Sequence, residues 1–316
     1  QYHTLKVDVN GESLRSAYSL CYSPYTDADL AVTVKRVDGG RVSNHLPDTL
    51  KVGDTVEVMP PMGNFALDVN AGLAEHFILI GGGSGITPLM SILKSVLSQA
   101  PQSKVSLLYA NRDADSIIFK AELEQLQAQH GERFRIVHSL DNPPAGWSGM
   151  SGQLSKSSMF PLFQDLISQG GQKKSFWLCG PQGLMDEAKS ALQFVGFDTK
   201  DIHQELFSAK LPEPGTAKPA ADPARGTYTV TVVLDDETKE VVVDESSTIL
   251  DAVINDGMDP PYACQMGVCC TCRAKLISGK VEMEEDEGLS DSELDEGFIL
   301  TCQAHPLTAD CKLEFM

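Results

Sequence analysis

The sequence predicts a multidomain protein of mixed α+β and α/β architecture, because three parts of the chain differ in the period of their apolar residues. Residues 1–65 alternate apolar and polar positions and hardly signal helix, whereas residues 76–207 alternate strand-like runs with helical stretches. Residues 227–316 return to strand-like alternation with one or two short helices. A chain of 316 residues is long enough for two or three domains, each with its own core.

The first part is predicted to be antiparallel β structure. HTLKVDV (3–9) and SLRSAYSLC (13–21) flank Asn10-Gly11, and this dipeptide is the strongest short signal for a hairpin. Two further strands are predicted, at LAVTVKRV (30–37) and DTVEVMP (54–60).

The second part is predicted to contain a parallel sheet. HFILI (76–80) runs into GGGSGITP and then into an apolar-periodic helix, PLMSILKSVLSQ (88–99). FKAELEQLQAQ (119–129) predicts another helix. Further strands are predicted at KVSLLYA (104–110), FRIVHSL (134–140) and SFWLCG (175–180). Alternation of this kind implies parallel strands joined by crossover helices.

The third part is predicted to be β structure with short helices. TYTVTVVL (227–234) and KEVVVD (239–244) flank the turn DDET. STILDAVINDG (247–257) predicts a helix, since Thr248 is a cap-like residue with Asp251 three positions later. SDSE (290–293) opens a second short helix by the same logic.

Composition sets the predicted boundaries. Residues 208–226 are rich in Pro, Ala and Gly and lack hydrophobic periodicity, so they predict a linker. The predicted domains are therefore residues 1–72, 73–207 and 227–316. Because the chain opens at Gln1 directly into strand-like sequence, we expect the first domain to be incomplete at its N-terminus.

The net charge of −19 lies mostly in the C-terminal part. Residues 227–316 contain 5 basic and 20 acidic residues, a balance of −15, while the rest of the chain has 20 basic and 24 acidic residues, a balance of −4. This sign argues against a nucleic-acid partner and favours steering towards a basic face of another protein. Acidity that serves solubility alone is the alternative.

Membrane and secretory signals are not found in the sequence. No apolar run reaches the roughly 18 to 20 residues that a spanning helix needs, and no secretory signal opens the chain. We therefore expect a cytoplasmic protein that does not bind membranes. Eight cysteines could form disulfides, but half of them are crowded into one loop, which favours a ligand cluster.

That loop, CQMGVCCTC (264–272), predicts a redox centre. Cys264, Cys269 and Cys272 have the x4-then-x2 spacing of a plant-type [2Fe–2S] site, and Cys302 follows after 29 residues. Each iron needs two thiolates, so three sulfurs converge from a tight loop and the fourth arrives from a distant strand. These four cysteines are the predicted metal ligands, and Cys270 is a spectator because it falls outside the spacing.

Two alternatives stay open for this loop. A structural zinc site is one, although paired C-x2-C motifs would be usual there. Cys311 is a rival fourth ligand, although CKLEF looks like an ordinary strand. Residues 227–316 as a whole resemble a plant-type ferredoxin, and this resemblance implies a β-grasp fold.

A one-electron cluster cannot accept a hydride, so the chain needs a two-electron carrier such as a flavin. Tyr18-Ser19 resembles the R-x-Y-S flavin motif of the ferredoxin–NADP reductase family, and VKRVDGGRVSNHL (34–46) resembles that family's pyrophosphate-binding turn. The resemblance implies a flavin-binding antiparallel β-barrel. Tyr18 would stack on the flavin of FAD, and Ser19 would hydrogen-bond near its N5 atom. The other residues implied to bind FAD are Arg15, Val34, Lys35, Gly40, Val42 and Ser43.

The chain departs from the family motif at one position. The family arginine lies two residues before the tyrosine, and Ser16 stands there in this chain. Arg15 is adjacent, but a regular strand would point it to the opposite face. Either a bulge restores the arginine, or the chain binds the FAD phosphate more weakly.

Two glycine-rich turns predict a nicotinamide nucleotide site. GGGSGITP (81–88) follows a strand and opens a helix, as a pyrophosphate site requires. CGPQGLM (179–185) resembles the reductase family's second nucleotide signature, which implies that Cys179 lies beside the nicotinamide. Cys179 as a buried structural residue is the alternative.

HQELF resembles the family's E-x-F ending, so Glu205 and Phe207 are implied to lie near the flavin. Ser19, Cys179 and Glu205 are the predicted catalytic residues. Residues predicted to bind nucleotide are Gly83, Gly85, Thr87, Pro88, Asn111, Arg112, Cys179, Gly180 and Pro181.

The nucleotide is predicted to be NADH, with NADPH left open. A 2′-phosphate needs cationic side chains. The positions that carry arginine in NADPH-preferring family members are here Leu140 and Gln153, and Asp141 adds repulsion. Asn111-Arg112 remains one possible anchor.

In order, the chain resembles a flavin barrel, a pyridine-nucleotide domain and a ferredoxin. It is most similar to reductase components of multicomponent oxygenases, the phenylacetyl-CoA epoxidase reductase type. This implies hydride transfer from NAD(P)H to FAD, then single-electron steps through the cluster to an oxygenase or another redox protein with a basic docking face. Three alternatives stay open: a reductase for a cytochrome P450 or a desaturase, an electron carrier with a vestigial flavin site, and a redox sensor that uses Cys270 if it is exposed.

Overall fold

The protein is described by a computed structural model that covers residues 1–168, 171–207 and 225–316. The predicted linker falls almost wholly on residues 208–224, which lie outside the described residues. Packing divides the chain into two compact units, each described below by itself. The nucleotide unit comprises Gln1, Tyr18–Val37 and Phe65–Phe207, and the ferredoxin unit comprises Tyr2–Ala17, Asp38–Asn64 and Ser208–Met316. The domain boundaries predicted from composition stay a prediction.

The N-terminal strands form a three-stranded sheet. Its strands and the first helix are β1 (Tyr2–Val9), β2 (Glu12–Ser19), α1 (Arg41–Thr49) and β3 (Glu57–Val58). The sheet order is β2-β1-β3. Asn10 and Gly11 have φ angles of +58° and +85°, as a two-residue hairpin turn of this kind requires. The predicted hairpin is therefore confirmed.

Two strand predictions in this region were wrong in extent. LAVTVKRV (30–37) forms no strand and contributes one isolated bridge, between Leu20 and Val32. DTVEVMP shrinks to the two residues of β3. Residues 30–37 contain no buried side chain, so their alternation lacks the packing that gives a strand its stability.

The nucleotide unit contains a six-stranded parallel sheet, as predicted. Its strands are β4 (Glu75–Gly82), β5 (Lys104–Asn111), β6 (Phe134–Leu140), β7 (Met150–Ser151), β8 (Lys173–Cys179) and β9 (Ile202–Glu205). Their order is β7-β6-β5-β4-β8-β9, and every neighbouring pair is parallel. Its helices are α2 (Ile86–Gln99), α3 (Lys120–His130), α4 (Lys156–Ser168) and α5 (Gln182–Phe194).

The core of this unit explains why β4 is central. Phe77 and Leu79 are fully buried, and Leu89, Leu93 and Val96 on α2 pack in the same cluster. A strand covered on both faces reads as a continuous apolar run, which is how HFILI appears in the sequence. This arrangement carries the loop after β4 and the start of α2 to the carboxyl end of the sheet, where ligands of open parallel sheets bind.

The C-terminal part of the ferredoxin unit is built on a five-stranded mixed sheet. Its elements are β10 (Tyr228–Leu234), β11 (Glu237–Val243), α6 (Ile249–Asn255), β12 (Arg273–Ser278), β13 (Val281–Met283), α7 (Asp291–Asp295), β14 (Phe298–Leu300), β15 (Ala304–Pro306) and β16 (Lys312–Phe315). The main sheet has the order β11-β10-β16-β12-β14, and β13 pairs with β15. Helix α6 packs through Ile249 and Val253 against Val230, Val241 and Leu313 of the sheet.

Both predicted helix starts in this part are confirmed. The Thr248 hydroxyl accepts from the Asp251 amide at the start of α6. Ser290 and Glu293 form a reciprocal capping box at the start of α7. No helix in the described part of the chain is both long and apolar enough to cross a membrane.

Candidate redox and nucleotide sites

The cysteine loop lies between α6 and β12. It reverses direction through two residues with positive φ, Gln265 at +56° and Gly267 at +74°. A Cβ atom on Gly267 would lie 2.6 Å from the Cβ atom of Glu285, so only glycine fits there. Gly288 is equally constrained, because its Cβ would lie 2.6 Å from the carbonyl oxygen of Cys269. These close approaches hold the loop in a tight curl.

The four predicted metal ligands meet in two pairs. The thiols of Cys264 and Cys269 are hydrogen-bonded, and this bond lowers the pKa of Cys269 to about 6. Cys302, from the turn between β14 and β15, pairs in the same way with Cys272, and this bond lowers the pKa of Cys302. The structure therefore unites three sulfurs from one loop with one from a distant segment.

Hydrogen-bond donors surround these sulfurs. The Met266 amide donates to Cys264 Sγ at 3.3 Å. The Gly267 amide donates towards Cys302, and the Gln303 side-chain amide lies 3.8 Å from the same sulfur. Donors of this kind stabilise thiolates and help to set the reduction potential of a cluster.

The donor set fits a two-iron cluster. Each thiol pair can supply one iron, and the two pairs are close enough for the charge of Cys269 to act on Cys272 and Cys302. A structural zinc ion would need four ligands around one centre. Cys264, Cys269, Cys272 and Cys302 would therefore hold a [2Fe–2S] cluster as two pairs.

Cys311 and Cys270 lie apart from these pairs. Cys311 Sγ donates to the Lys280 carbonyl oxygen at 3.2 Å, and a Cβ on Gly279 would contact it. Cys270 is 5% exposed, and its sulfur lies 3.3 Å from the Tyr2 hydroxyl. The exposure on which the redox-sensor alternative depended is therefore not found.

The nucleotide unit brings together the three predicted catalytic residues. Ser19 Oγ donates to Glu205 Oε2 at 2.7 Å. Cys179 at the end of β8 is fully buried and pairs in register with Glu205 on β9. Burial raises the pKa of Glu205, and burial followed by the charge of Glu205 raises the pKa of the Cys179 thiol. The thiol is therefore neutral at physiological pH.

The two glycine-rich turns pack directly against each other. A Cβ on Gly85 would lie 2.0 Å from the Cys179 carbonyl oxygen, and a Cβ on Gly82 would lie 2.6 Å from Pro181 Cδ. Helices α2 and α5 both begin at these turns, at the N-cap residues Gly85 and Pro181. Neither has a side-chain cap or an acidic residue in its first turn. Their first amides therefore suit an anion such as a pyrophosphate.

Other predicted nucleotide ligands flank these turns. Thr87 is buried and donates to the Ser84 carbonyl oxygen, and Pro88 is buried beside it. Asn111 is 6% exposed at the end of β5, and its amide interacts with the Tyr109 hydroxyl but makes no hydrogen bond of ordinary geometry among the described residues. Arg112 is exposed and paired with Asp113. Asn111 and the exposed guanidinium of Arg112, which is engaged through Nε, both keep hydrogen-bonding capacity for a ligand, and their roles stay a prediction.

The residues predicted to bind FAD divide between the two units. Tyr18, Ser19, Val34 and Lys35 belong to the nucleotide unit, and Lys35 Nζ lies 3.1 Å from the position of a Cβ on Gly83. Gly40, Val42 and Ser43 belong to the ferredoxin unit. There Gly40 is the N-cap of α1, which has no side-chain cap and no acidic residue in its first turn. Phe207, at the end of the described segment, is 39% exposed.

The structure does not support the flavin role of Arg15. Its guanidinium donates to Asp259 Oδ1 and to the Pro260 carbonyl oxygen, both at 2.7 Å, and stacks over Tyr262 at 4.6 Å. All four residues belong to the ferredoxin unit. The Arg15 guanidinium is thus engaged by protein groups, and Ser16 stands at the position of the family arginine.

Sequence reasoning missed two buried residues beside the cysteine loop. Tyr2 on β1 and Thr271 in the loop are 7% and 1% exposed, and their hydroxyl oxygens lie 3.1 Å apart. The position of Thr271 between two ligands could have drawn attention to it. Nothing in the sequence marks Tyr2, which is 269 positions earlier in the chain.

Comparison with known families matches each part of the chain. The profile described as "Oxidoreductase FAD-binding domain" matches residues 1–67, "Oxidoreductase NAD-binding domain" matches 79–190, and "2Fe-2S iron-sulfur cluster binding domain" matches 232–307. These matches support the predicted fold class and cofactors.

Relatives that match the whole chain are components of oxygenases. The chain is 35% identical to one of the subunits of 1,2-phenylacetyl-CoA epoxidase from Escherichia coli, over 100% of this chain and 87% of that protein. It is 36% identical to the ferredoxin reductase component of 3-ketosteroid-9-alpha-monooxygenase of Rhodococcus rhodochrous, again over 100% and 87%.

Solved structures confirm the fold. Phthalate dioxygenase reductase, described as transferring electrons from pyridine nucleotides to [2Fe–2S], matches 99% of this chain and 87% of its own length at 26% identity, with a TM-score of 0.58. An intact type IV self-sufficient cytochrome P450 monooxygenase matches 98% of this chain at 25% identity with a TM-score of 0.68, and the match covers 36% of that protein. The chain therefore belongs to the ferredoxin–NADP reductase family, among the oxygenase reductase components that carry a C-terminal [2Fe–2S] ferredoxin domain.

Proposed function

We propose that this protein passes electrons from NADH to an oxygenase component. The observation that carries the proposal is the meeting of four cysteines as two thiol pairs, in the same chain as the paired glycine turns at Gly85 and Pro181. When bound, FAD accepts an electron pair from the nicotinamide and releases electrons singly, and the cluster relays them. The relatives' names support an oxygenase as the acceptor.

The protein's own residues would orient the reactants. Ser19 is fixed by its hydrogen bond to Glu205, and Glu205 is in register with Cys179 on the neighbouring strand. The neutral, fully buried Cys179 thiol would add no charge beside a bound nicotinamide. Such positioning accelerates a transfer that depends on the geometry of its reacting atoms.

NADH is the proposed donor. Leu140 is fully buried at the end of β6, and Asp141 follows it on the surface, so neither can pair with a 2′-phosphate. The exposed Arg112 is already paired with Asp113 at 3.1 Å. This pairing weakens the single cationic anchor that the sequence offered to NADPH.

Anaerobic titration tests the donor and the route together. NADH should bleach the flavin band and then the cluster bands, and NADPH should do so with a kcat/KM at least about 10-fold lower, the cost of one missing cationic contact. A protein that lacks iron and acid-labile sulfide, or a cluster that stays oxidised under excess NADH, would contradict the proposed route. Equal efficiency with both nucleotides would overturn only the choice of donor.

A cytochrome P450 is the second candidate acceptor. The observation that favours it is the match of 98% of this chain to part of a self-sufficient P450. The two candidates are separated by reconstitution with purified proteins: coupled turnover with an oxygenase supports the first candidate, and coupled turnover with a P450 supports the second. No feature of the described residues singles out a desaturase. NADH-dependent bleaching of bound flavin would exclude the electron carrier with a vestigial flavin site.

The acidic C-terminal part supplies the proposed docking face. Met266, which is 38% exposed, follows Cys264 and Gln265 in the loop. Glu285 lies against the loop at Gly267, and the exposed Asp286 follows it in the chain. The field there is negative, so a partner with a basic face would be steered to the cysteine loop. A cytoplasmic location is part of the same proposal, because the free cysteines suit a reducing compartment.

A further inference from the structure

A buried hydroxyl pair connects the N-terminal strand to the cysteine loop. The Cys270 amide donates to Tyr2 Oη at 3.2 Å, and Tyr2 Oη lies 3.1 Å from Thr271 Oγ1. Thr271 Oγ1 in turn lies 3.5 Å from Cys269 Sγ, which is one of the four ligand sulfurs. All these residues belong to the ferredoxin unit, and all are at least nine-tenths buried.

Iron binding at Cys269 sets a preferred direction for these hydrogen bonds. A metal-bound thiolate has no proton and can only accept, and the Thr271 hydroxyl is placed to donate to it. The oxygen of Thr271 can then accept from the Tyr2 hydroxyl at 3.1 Å, which is closer than the Thr4 hydroxyl at 3.4 Å. Tyr2 Oη accepts the Cys270 amide proton and has one proton of its own to donate, for which Thr271 Oγ1 is a stronger acceptor than Cys270 Sγ at 3.3 Å. The result is one chain of donors from Cys270 through Tyr2 and Thr271 to Cys269.

We propose that Tyr2 is a positioning residue for the [2Fe–2S] cluster and raises its reduction potential through Thr271. Hydrogen bonds in a chain polarise one another, so a donor to Thr271 strengthens the bond from Thr271 to the ligand sulfur. Stronger donation to a ligand sulfur favours the reduced cluster, which carries one more negative charge. The inference rests on the proposed function, because it requires the cluster to be bound at these cysteines.

The packing around Tyr2 supports a positioning role. Its ring lies in a buried cluster with Ala263, Cys269 and Cys270, and Ala17 of β2 packs against the same cluster. The backbone amide and carbonyl of Tyr2 are paired with Met62 at 2.9 and 3.0 Å. The backbone of Tyr2 is therefore held by its pairing with Met62, and the ring is held by its packing against the loop.

The test is a double-mutant cycle on the holoprotein, read by anaerobic redox titration with EPR detection of the reduced cluster. In Tyr2→Phe the reduced-to-oxidised ratio at a fixed ambient potential should fall about threefold, or about 30 mV for a one-electron couple. In Thr271→Val it should fall about tenfold, or about 59 mV. Adding Tyr2→Phe to Thr271→Val should cause no further change, because the relay is already broken.

Control variants separate the relay from general packing effects. Thr271→Ser keeps the donor and should keep the wild-type potential. Incorporating 3-fluorotyrosine at position 2 preserves the ring and makes the phenol a stronger donor, so the potential should move in the direction opposite to that of Tyr2→Phe. This substitution also keeps the test available if Tyr2→Phe fails to fold.

The outcomes separate this inference from the proposed function. Wild-type protein without iron or sulfide would contradict the proposed function itself. A normal cluster whose potential is the same in wild type and in the Tyr2 variants would overturn only the inference. Additive shifts in the double variant would also overturn it, because Tyr2 would then act without Thr271.

Discussion

Cys302 and Cys311 are nine positions apart in the sequence but have different surroundings. Cys302 faces Cys272, whereas Cys311 faces the Lys280 carbonyl oxygen. The turn between β14 and β15 directs the Cys302 thiol towards the cysteine loop, whereas the Cys311 thiol lies in the core of the sheet. The fold therefore makes Cys302 the fourth predicted ligand.

Cys302→Ser is expected to abolish the visible cluster bands while NADH still reduces the flavin. Loss of one thiolate leaves one iron with a single protein sulfur, which does not hold a stable [2Fe–2S] centre. Cys311→Ser, a matched substitution of a buried thiol, should retain both iron atoms. Iron analysis and absorbance spectra check both variants, and loss of iron from Cys311→Ser alone would exchange their roles.

His76 should make the nucleotide unit sensitive to acid. Burial and then the charges of Lys174 and Lys104 hold its pKa at about 4, below the ordinary value of 6.5. The folded protein therefore binds this proton less tightly than the unfolded chain does. The contribution of His76 to the free energy of unfolding is fully present above pH 6.5 and decreases as the pH falls towards 4. At pH 4.5 this decrease amounts to about 2.5 kcal/mol.

His76→Gln can still hydrogen-bond to Ser106, which lies 2.8 Å from His76 Nε2, but it does not titrate. Its free energy of unfolding should therefore fall less between about pH 7 and pH 4.5 than that of the wild type. Urea unfolding followed by tryptophan fluorescence measures this, because both tryptophans, Trp147 and Trp177, lie in the nucleotide unit. An equal fall in both proteins would assign the acid sensitivity to other groups.

The residues of the cluster site could be predicted only where the signal is local. Three ligands lie within nine positions, and their spacing alone indicates the type of cluster. Tyr2 reaches the same loop only because β1 folds beside it, and no spacing rule encodes a contact across 268 positions. Arg15 illustrates the same limit, since its partners at Asp259 and Pro260 come from another part of the chain.

Helices and strands were predicted correctly where the residues that determine them lie within one segment of the sequence. The hairpin at Asn10-Gly11, the apolar run of β4 and the capped start of α6 all have local causes. LAVTVKRV (30–37) failed because alternation gives a strand only when a neighbour pairs with it, and pairing depends on the rest of the fold. The meeting of α2 and α5 at one edge likewise follows from the order of the strands.

Gly85→Ala should disturb the junction of these two helices. Its Cβ would overlap the Cys179 carbonyl oxygen at 2.0 Å, and the backbone on both sides cannot yield cheaply. We expect a loss of about 1–3 kcal/mol of stability and at least about a 10-fold weaker affinity for NADH, because the two turns must separate. Thermal unfolding and NADH titration measure these effects.

Gly183→Ala is the matched control for this junction. It lies in the first turn of α5, its φ is not positive, and a Cβ there would meet nothing within 4 Å. Alanine should therefore leave NADH affinity unchanged and stabilise the helix slightly. Equal effects of the two substitutions would show that the close contact at Gly85 is not what limits binding.

Across the chain as a whole, the net charge is concentrated in the part that carries the cysteine loop. Residues 227–316 carry −15 of the net −19, and they also carry the cysteine loop. The rest of the chain, which carries the nucleotide turns, is nearly balanced. Encounter with a basic acceptor should therefore depend on salt far more than encounter with NADH does.

Transfer to a basic acceptor such as cytochrome c should slow about 10-fold between about 50 and 500 mM salt, while NADH-dependent flavin reduction changes little. Asp286→Asn with Glu285→Gln should weaken this salt dependence, because Glu285 lies against the loop at Gly267 and Asp286 is exposed next to it. Asp29→Asn with Glu132→Gln removes the same charge from exposed positions of the nucleotide unit and should not. Stopped-flow measurement of the transfer rate at several ionic strengths distinguishes the two double variants. Equal effects on the salt dependence would show that net charge, and not the docking face, causes it.

The hairpin of β1 and β2 supplies residues to both compact units, since Tyr2 lies with the cysteine loop whereas Tyr18 and Ser19 lie with the nucleotide turns. A chimera made by cutting the chain within the predicted linker would transplant the loop without the phenol that accepts the Cys270 amide proton. Exchange of the C-terminal ferredoxin segment should therefore require that the N-terminal hairpin is exchanged with it, although most of the polypeptide separates these two segments.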